Sequence, residues 1–285
     1  MSQPENKEHA QERKVSLNGA IVAESQARIS PFDHGLTVGD GVFETLRTFG
    51  GKVFAWRRHY QRLKRSADVM GLAIESSETL RRWAEELLAD HSFEESRVRV
   101  TITGGLAPPS TARGNGPTTT LVMVSDLGHV PSVSQVITVP WARNDRGALV
   151  GLKTTSYAEN VRALEAAHQR EASEALLTNT QGRLCEGAGT NVFLVVDRQL
   201  VTPPLSSGCL AGITRELVLE LTEVVEREIE PGEFAVASEA FLTSSTREVG
   251  AISAVDDTVL PEAPGPVTAE LTAAFAALVA TNPDP

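Results

Sequence analysis

Lysine is scarce in this chain: of 26 basic residues only Lys7, Lys14, Lys52, Lys64 and Lys153 are lysines. Cysteine is scarcer still. Cys185 and Cys209 cannot build a disulfide framework, and neither stands in a CxxC pair or near a histidine at metal-ligand spacing, so no metal site is expected. A reducing cytoplasm is the expected home. Nowhere do roughly 18 or more apolar residues follow one another, which argues against a membrane span. The opening MSQPENKEHAQERK is polar where a signal peptide needs an apolar core. Positive charge is outweighed as well: 37 acidic side chains against 26 basic give a net charge of −11, unsuited to collecting nucleic acid or anionic lipid. A small substrate is expected instead.

What the chain has in quantity is material for a core. Its 285 residues, 41% hydrophobic and 22% charged, suit about two domains. Residues 1–13 read as a disordered arm and 14–125 as a small N-terminal α/β domain. DLGHVPSVS, residues 126–134, reads as a linker, and 135–285 as a larger C-terminal domain. In the first domain, Asn18-Gly19 signals a hairpin and Val42–Phe49 alternates as a strand. Leu63, Val69, Met70 and Leu72, then Leu80, Trp83, Leu87 and Leu88, suit two amphipathic helices. Strands follow at Val98–Thr103 and Thr119–Val124, separated by LAPPSTARGNGP, a segment too rich in Pro and Gly for regular structure. In the second domain the pattern predicts helices over 158–171, 214–227 and 268–279 among strands at 135–139, 175–178, 191–196 and 240–243. The fold class is therefore α/β or α+β.

Four of the lysines have surface-like settings. Lys153 does not: in GLKTTSY it follows Leu149, Val150 and Leu152 and precedes small hydroxyl residues. A lysine held there loses solvation, which lowers its pKa and leaves more neutral amine to attack a carbonyl. The alternative is a lysine whose stem packs while its head reaches water. In RLCEGAGTNVF, Gly187 and Gly189 free the backbone to aim the Glu186 carboxylate, which could keep a ring nitrogen protonated or could be an ordinary turn acid. In LAGITRELVLEL, the N–H groups of Gly212, Ile213 and Thr214 converge at a helix start of the kind that attracts phosphate, though most such starts meet only water. FLTSSTREV adds Ser244 and Ser245 among clustered hydroxyls, and Arg62 in HYQRL offers a planar donor fork. An amine, a carboxylate and three phosphate-suited elements together match pyridoxal 5′-phosphate.

The ordered motifs FDHGLTVGDGVFETLR, HYQRL, GLKTTSY, EGAGTNVFLV, TPPLSSGCLAGITRE and LTSSTREV resemble the class IV, fold type IV, pyridoxal-phosphate family over about Val15 to Val255. That family comprises branched-chain and D-amino-acid aminotransferases, some amine transaminases and aminodeoxychorismate lyase. The resemblance implies a two-domain D-amino-acid aminotransferase-like architecture, a homodimer, and ping-pong transfer between a small amino donor and a 2-oxo acid. It places the Schiff-base lysine on Lys153, the pyridine-nitrogen carboxylate on Glu186 and the phosphate arginine on Arg62. The phosphate cup falls on Gly212, Ile213, Thr214, Ser244 and Ser245, and Tyr157 falls near the ring oxygen. Ser156 stands where relatives often have Asn. The D-amino-acid members catch the substrate carboxylate with an arginine and a histidine, but Pro109 and Thr111 occupy those positions here. Arg113 or Arg47 is the expected replacement unless each is a structural ion pair, and Phe43 and Thr45 are expected beside the substrate. Thr45 also hints at the lyase reaction, which releases pyruvate and 4-aminobenzoate. A branched-chain L-amino-acid enzyme and a non-catalytic cofactor carrier are the remaining readings.

Overall fold

A computed structural model describes residues 12–91 and 93–285. Lys14–Leu17 (β1) and Ala20–Ala23 (β2) form the hairpin turned by Asn18-Gly19, with Val15 opposite Val22. A short helix, His34–Val38 (α1), absent from the sequence expectations, precedes strands Gly41–Phe49 (β3) and Lys52–Val53 (β4). Helices Trp56–Met70 (α2) and Ser77–Ala89 (α3) follow, then strands Ser96–Thr103 (β5) and Thr119–Asp126 (β6). Ser76 starts α3 by accepting the Thr79 N–H at 3.1 Å. The six strands form one antiparallel sheet, ordered β2-β1-β6-β5-β3-β4.

Strict alternation gives this sheet two unlike faces. Val98, Val100 and Ile102 of β5 and Val42 and Leu46 of β3 are buried in one core with Leu63 of α2 and Leu80 and Leu87 of α3. Each such leucine contributes about 1.5–3 kcal/mol by leaving water. The other face carries Phe43, Thr45 and Arg47 of β3 beside Arg97, Arg99 and Thr101 of β5, with Thr45 opposite Arg99.

Residues 127–132 lead into Val133–Arg143 (β7), followed by helix Ala158–His168 (α4) and strands Glu174–Asn179 (β8), Leu184–Gly187 (β9), Asn191–Val196 (β10) and Gln199–Thr202 (β11). Ile213–Leu221 (α5), Val225–Glu226 (β12), Glu239–Ser244 (β13), Glu248–Val255 (β14), Thr258–Val259 (β15) and Pro266–Thr281 (α6) complete the chain. The second sheet runs β12-β11-β10-β13-β14-β7-β8-β9, with β15 on β14. Every residue of β10 is buried, because the sheet is covered on both faces. Phe193, Phe241, Leu217 and Phe275 pack on the side of α5 and α6, while Val192, Leu194 and Leu242 meet Ile229 and Phe234.

Two expectations need correction or restriction. The helix expected over 214–227 stops at Leu221: Thr222 is extended, and Val225 pairs in parallel with Val201. β-Branched Val224 and Val225 favour the added strand over further helix. The expected arm lies, for residues 1–11, outside the described residues, whereas Arg13 is tied to Glu24 at 2.7 Å.

The two sheets meet along a seam of backbone contacts. Phe43 N–H donates to Lys153 O at 3.0 Å, Thr155 N–H donates to Gly41 O at 2.9 Å, and Val42 and Thr154 form a bridge. Ala55 N–H reaches Pro283 O, and Arg58 forks onto Glu220 at 2.7 and 2.8 Å. A cavity of about 1030 Å³ opens at this seam.

Candidate active site

Lys153 enters the cavity on the segment between β7 and α4, its backbone clamped between Phe43 N–H and the Ser66 hydroxyl. Its Nζ lies 4.5 Å from the centre of the Phe43 ring and 5.5 Å from that of Tyr157. The two rings meet edge to face at 5.2 Å and form an aromatic wall. Burial, reinforced by the Arg62 charge, lowers the amine's pKa from 10.5 to about 8. About a tenth of the amine is therefore neutral near pH 7, far more than an unshifted lysine would hold.

Glu186 stands next to last in β9, with its carboxylate in the same cavity. Oε2 accepts the Leu210 N–H at 2.9 Å, and Oε1 lies 3.1 Å from Arg143 Nε. Burial raises its pKa, while Arg143 and the Leu210 N–H oppose the rise. A protonated ring nitrogen placed there would compensate the buried carboxylate further. The turn after Glu186 is shaped by Glu174, which accepts from the N–H groups of Ala188 at 3.0 Å and Gly189 at 3.4 Å. Tyr157 faces the cavity, its phenol pushed up to about 12 by burial and by Glu186.

The phosphate-suited elements converge on another part of the wall. Gly212, Ile213 and Thr214 line the cavity at the start of α5. Gly212 is the N-cap and no side chain caps the helix, which leaves first-turn N–H groups for a ligand. A Cβ at Gly212 would run into Asn191 Oδ1, so only glycine fits this turn. Thr214 is a first-turn residue. Thr243, Ser244 and Ser245 complete the wall.

Arg62 reaches this part of the cavity, but not as a free countercharge. Its Nε and Nη2 donate to Glu44 at 2.7 and 2.8 Å and its Nη1 to Ala211 O at 2.8 Å. Three of its five N–H groups are thus engaged, and two remain. His59 Nδ1 meets the same Glu44 at 2.7 Å, and its Nε2 lies 3.3 Å from Ser245 Oγ. Burial lowers the His59 pKa, so the ring is neutral. With Nδ1–H given to the carboxylate, Nε2 accepts from the Ser245 hydroxyl. Ser245 therefore offers a ligand its backbone, while Ser244, whose Oγ accepts the Arg247 N–H, keeps a hydroxyl proton to donate. Burial alone would raise the Glu44 pKa, but Arg62 and His59 hold it well below the usual carboxylate range.

Phe43 and Thr45 line the cavity, whereas Arg47 and Arg113 are absent from its wall. Arg47 is bound to Glu248, to Glu95 at 2.6 Å and to Thr246 O at 3.2 Å. Arg113 forks onto Asp40 at 2.5 and 2.6 Å. Asp40 is also bonded to His34 at 2.7 Å. Both arginines are structural ion pairs, the alternative the sequence left open. Glu44, His59, Arg143 and Arg99 were missed. Glu44 was detectable as an acid in the buried register between Val42 and Leu46, and His59 as the residue one helical turn before Arg62.

The arrangement suits a ligand that carries a carbonyl, a ring nitrogen and an anion. The fold agrees: the structure of the Escherichia coli branched-chain amino acid aminotransferase superposes with a TM-score of 0.89 at 25% identity, covering 94% of this chain and 95% of that one. This is fold type IV. Residues 41–255 match the family model for Amino-transferase class IV, and the chain belongs to that family. A D-alanine aminotransferase of Bacillus licheniformis is 30% identical over 264 residues, 90% of this chain and 93% of that protein. A Methanocaldococcus jannaschii protein provisionally assigned as a branched-chain-amino-acid aminotransferase is 32% identical over 259 residues, 87% and 89% of the two chains. Class IV aminotransferases are enzymes that work with pyridoxal 5′-phosphate. The residues present fit that cofactor: Thr243 Oγ1 and Arg143 Nη2, both on the cavity wall, are buried donors with no hydrogen-bond partner among the described residues.

Proposed function

We propose that the chain moves an amino group between a small D-amino acid, or a related amine, and a 2-oxo acid, with Lys153 as the reacting amine. The observation that carries this reading is the Lys153 amine, part-neutral against an aromatic wall, in one cavity with the Glu186 carboxylate. When bound, pyridoxal phosphate supplies an aldehyde for the amino group and a ring that withdraws electrons from the donor's α-carbon. Lys153 Nζ would hold the group by its aldehyde carbon, and as a free amine it would take up and return the donor's α-proton. Glu186 would keep a proton on the ring nitrogen. Tyr157 and the free N–H of Arg143 would donate to the ring oxygen. The phosphate would be held by the α5 N-terminus, the Ser244 hydroxyl, the Ser245 backbone and the two remaining N–H groups of Arg62.

The similarity to D-alanine aminotransferases supports a D-amino donor. The Methanocaldococcus jannaschii relative favours a second reading, a branched-chain L-amino donor. Mixing the protein with pyridoxal phosphate should give a visible absorbance band that borohydride fixes on the GLKTTSY peptide. Because only the neutral amine reacts, the loading rate should climb about tenfold per pH unit below about 8 and level off above it. Transfer from D-alanine to 2-oxoglutarate is then expected. L-Leucine as the better donor would select the second reading, and pyruvate release from aminodeoxychorismate alone would select the lyase. A colourless protein with no adduct would refute the reading altogether.

Self-association as a homodimer belongs to the same proposal. Leu36, Val38 and Leu149 stand exposed on the cavity rim, Leu36 at 70%, and an apolar rim of this kind is suited to cover by a second copy. Light scattering should give about twice the chain mass of 30.5 kDa; the monomer mass would remove this part of the proposal.

A further inference from the structure

Four guanidinium groups line the cavity, those of Arg62, Arg99, Arg143 and Arg215. Three have acidic partners. Arg62 is bidentate on Glu44, Arg143 Nε is 3.1 Å from Glu186, and Arg215 Nη2 donates to Glu226 at 2.5 Å and to Pro203 O at 3.0 Å. Arg99 has none among the described residues. Its one side-chain hydrogen bond is a long one, Nε to Thr101 Oγ1 at 3.3 Å. Burial lowers its pKa; Tyr157 opposes the shift, and the like charge of Arg97 adds to it. A half-buried cation without a countercharge is unfavourable unless an anion joins it.

The position of Arg99 follows from strand register. β5 turns it to the face opposite Val98 and Val100, beside Thr45 of β3. There its guanidinium carbon lies 3.7 Å from the centre of the Phe43 ring, the same ring that Lys153 Nζ approaches at 4.5 Å. The phosphate-suited groups gather instead at α5 and around Ser244, with Arg62. Arg99 therefore presents a planar donor fork next to the reacting amine, and no acid among the described residues occupies it.

We propose that Arg99 binds the α-carboxylate of the amino donor and of the oxo acceptor, so that the site selects α-amino and 2-oxo acids over simple amines. The inference rests on the assignment of Lys153 as the reacting amine: the carbon whose proton Lys153 carries is one bond from the carboxylate, so an anion held at Arg99 belongs to the reacting molecule. The fork matches a carboxylate's two oxygens, which an ammonium group cannot do. Arg99 thus takes the part that the sequence reading gave to Arg47 or Arg113.

The test uses the cofactor-loaded protein and propionate, which is alanine without its amino group. Propionate binding is followed through the cofactor absorbance in the wild type, Arg99→Ala and Arg99→Lys, with Arg99→Met as the packing-conserving variant should truncation impair folding. Loss of the arginine should weaken propionate by about 10- to 100-fold, with lysine between. KM for the alanine enantiomer that the wild type uses should rise in step, with kcat changed much less, and cofactor loading should be unaltered. Unchanged propionate affinity in a loaded variant overturns the inference. So does a fall in kcat with KM unchanged, the mark of a merely structural role. Failure of the wild type to load pyridoxal phosphate overturns the functional reading itself, a result distinct from either.

Discussion

Lys153→Ala should lower amino transfer by about 10⁴-fold or more, because one substitution removes both the anchoring amine and the group that carries the proton. Single-turnover measurement with the donor that the wild type prefers would show this; transfer within tenfold of wild type would remove Lys153 from the reaction. The fold should survive. In the cofactor-free protein, the Lys153 pKa is depressed from 10.5 to about 8, so the charged amine is disfavoured in the folded state. That penalty is full below about pH 8, shrinks between 8 and 10.5, and vanishes above. Denaturant titrations should therefore find the cofactor-free variant at least as stable as wild type at pH 7, with any such gain disappearing by about pH 10.5. Marked destabilisation at pH 7 would mean that the side chain's packing outweighs the cost of its charge.

Glu44→Ala should show the largest loss of stability, about 3–5 kcal/mol at pH 7, because it strands the buried Arg62 charge and leaves the His59 Nδ1–H without an acceptor. Urea unfolding measures this directly, and a loss under about 1 kcal/mol would show that water or a rearrangement replaces the carboxylate. The pH dependence has a definite sign. The folded pKa of Glu44 lies below its ordinary value of 4.5, so its contribution is present above that value and is lost as pH falls toward the folded pKa. The gap between wild type and variant should thus narrow only in strong acid. Weaker retention of pyridoxal phosphate should accompany the loss, since Glu44 also orients Arg62.

Much of this site could be read from the order of residue types. Lys153 stood out because the other lysines lie in charged or turn settings, and Glu186 because glycines follow it; both open into the cavity. The strands of the first sheet were legible because a period of two survives any tertiary context. The fate of its arginines was not. Alternation puts Arg47, Arg97 and Arg99 on one face, but Arg47 is tied to Glu248, some 200 residues away in the chain, and no local pattern announces that partner. Arg113 lies in a Pro- and Gly-rich loop whose path is set by its fork onto Asp40. The end of α5 was misjudged for a related reason: the choice between another helical turn and the short strand through Val225 depends on a free edge at Val201.

Val42 and Thr154 join the segment before α4 to β3 by a strand-like bridge. Lys153, the amine of the proposed reaction, lies between β7 of the second sheet and α4, yet its backbone is held in place by the rim of the first sheet. Chemistry and scaffold are therefore divided between segments more than a hundred residues apart, and neither can be transplanted alone. A shift of one residue along that bridge would turn Lys153 out of the chamber, so insertions near Gly41 or Gly151 should be tolerated far less readily than the exposure of Gly151 suggests.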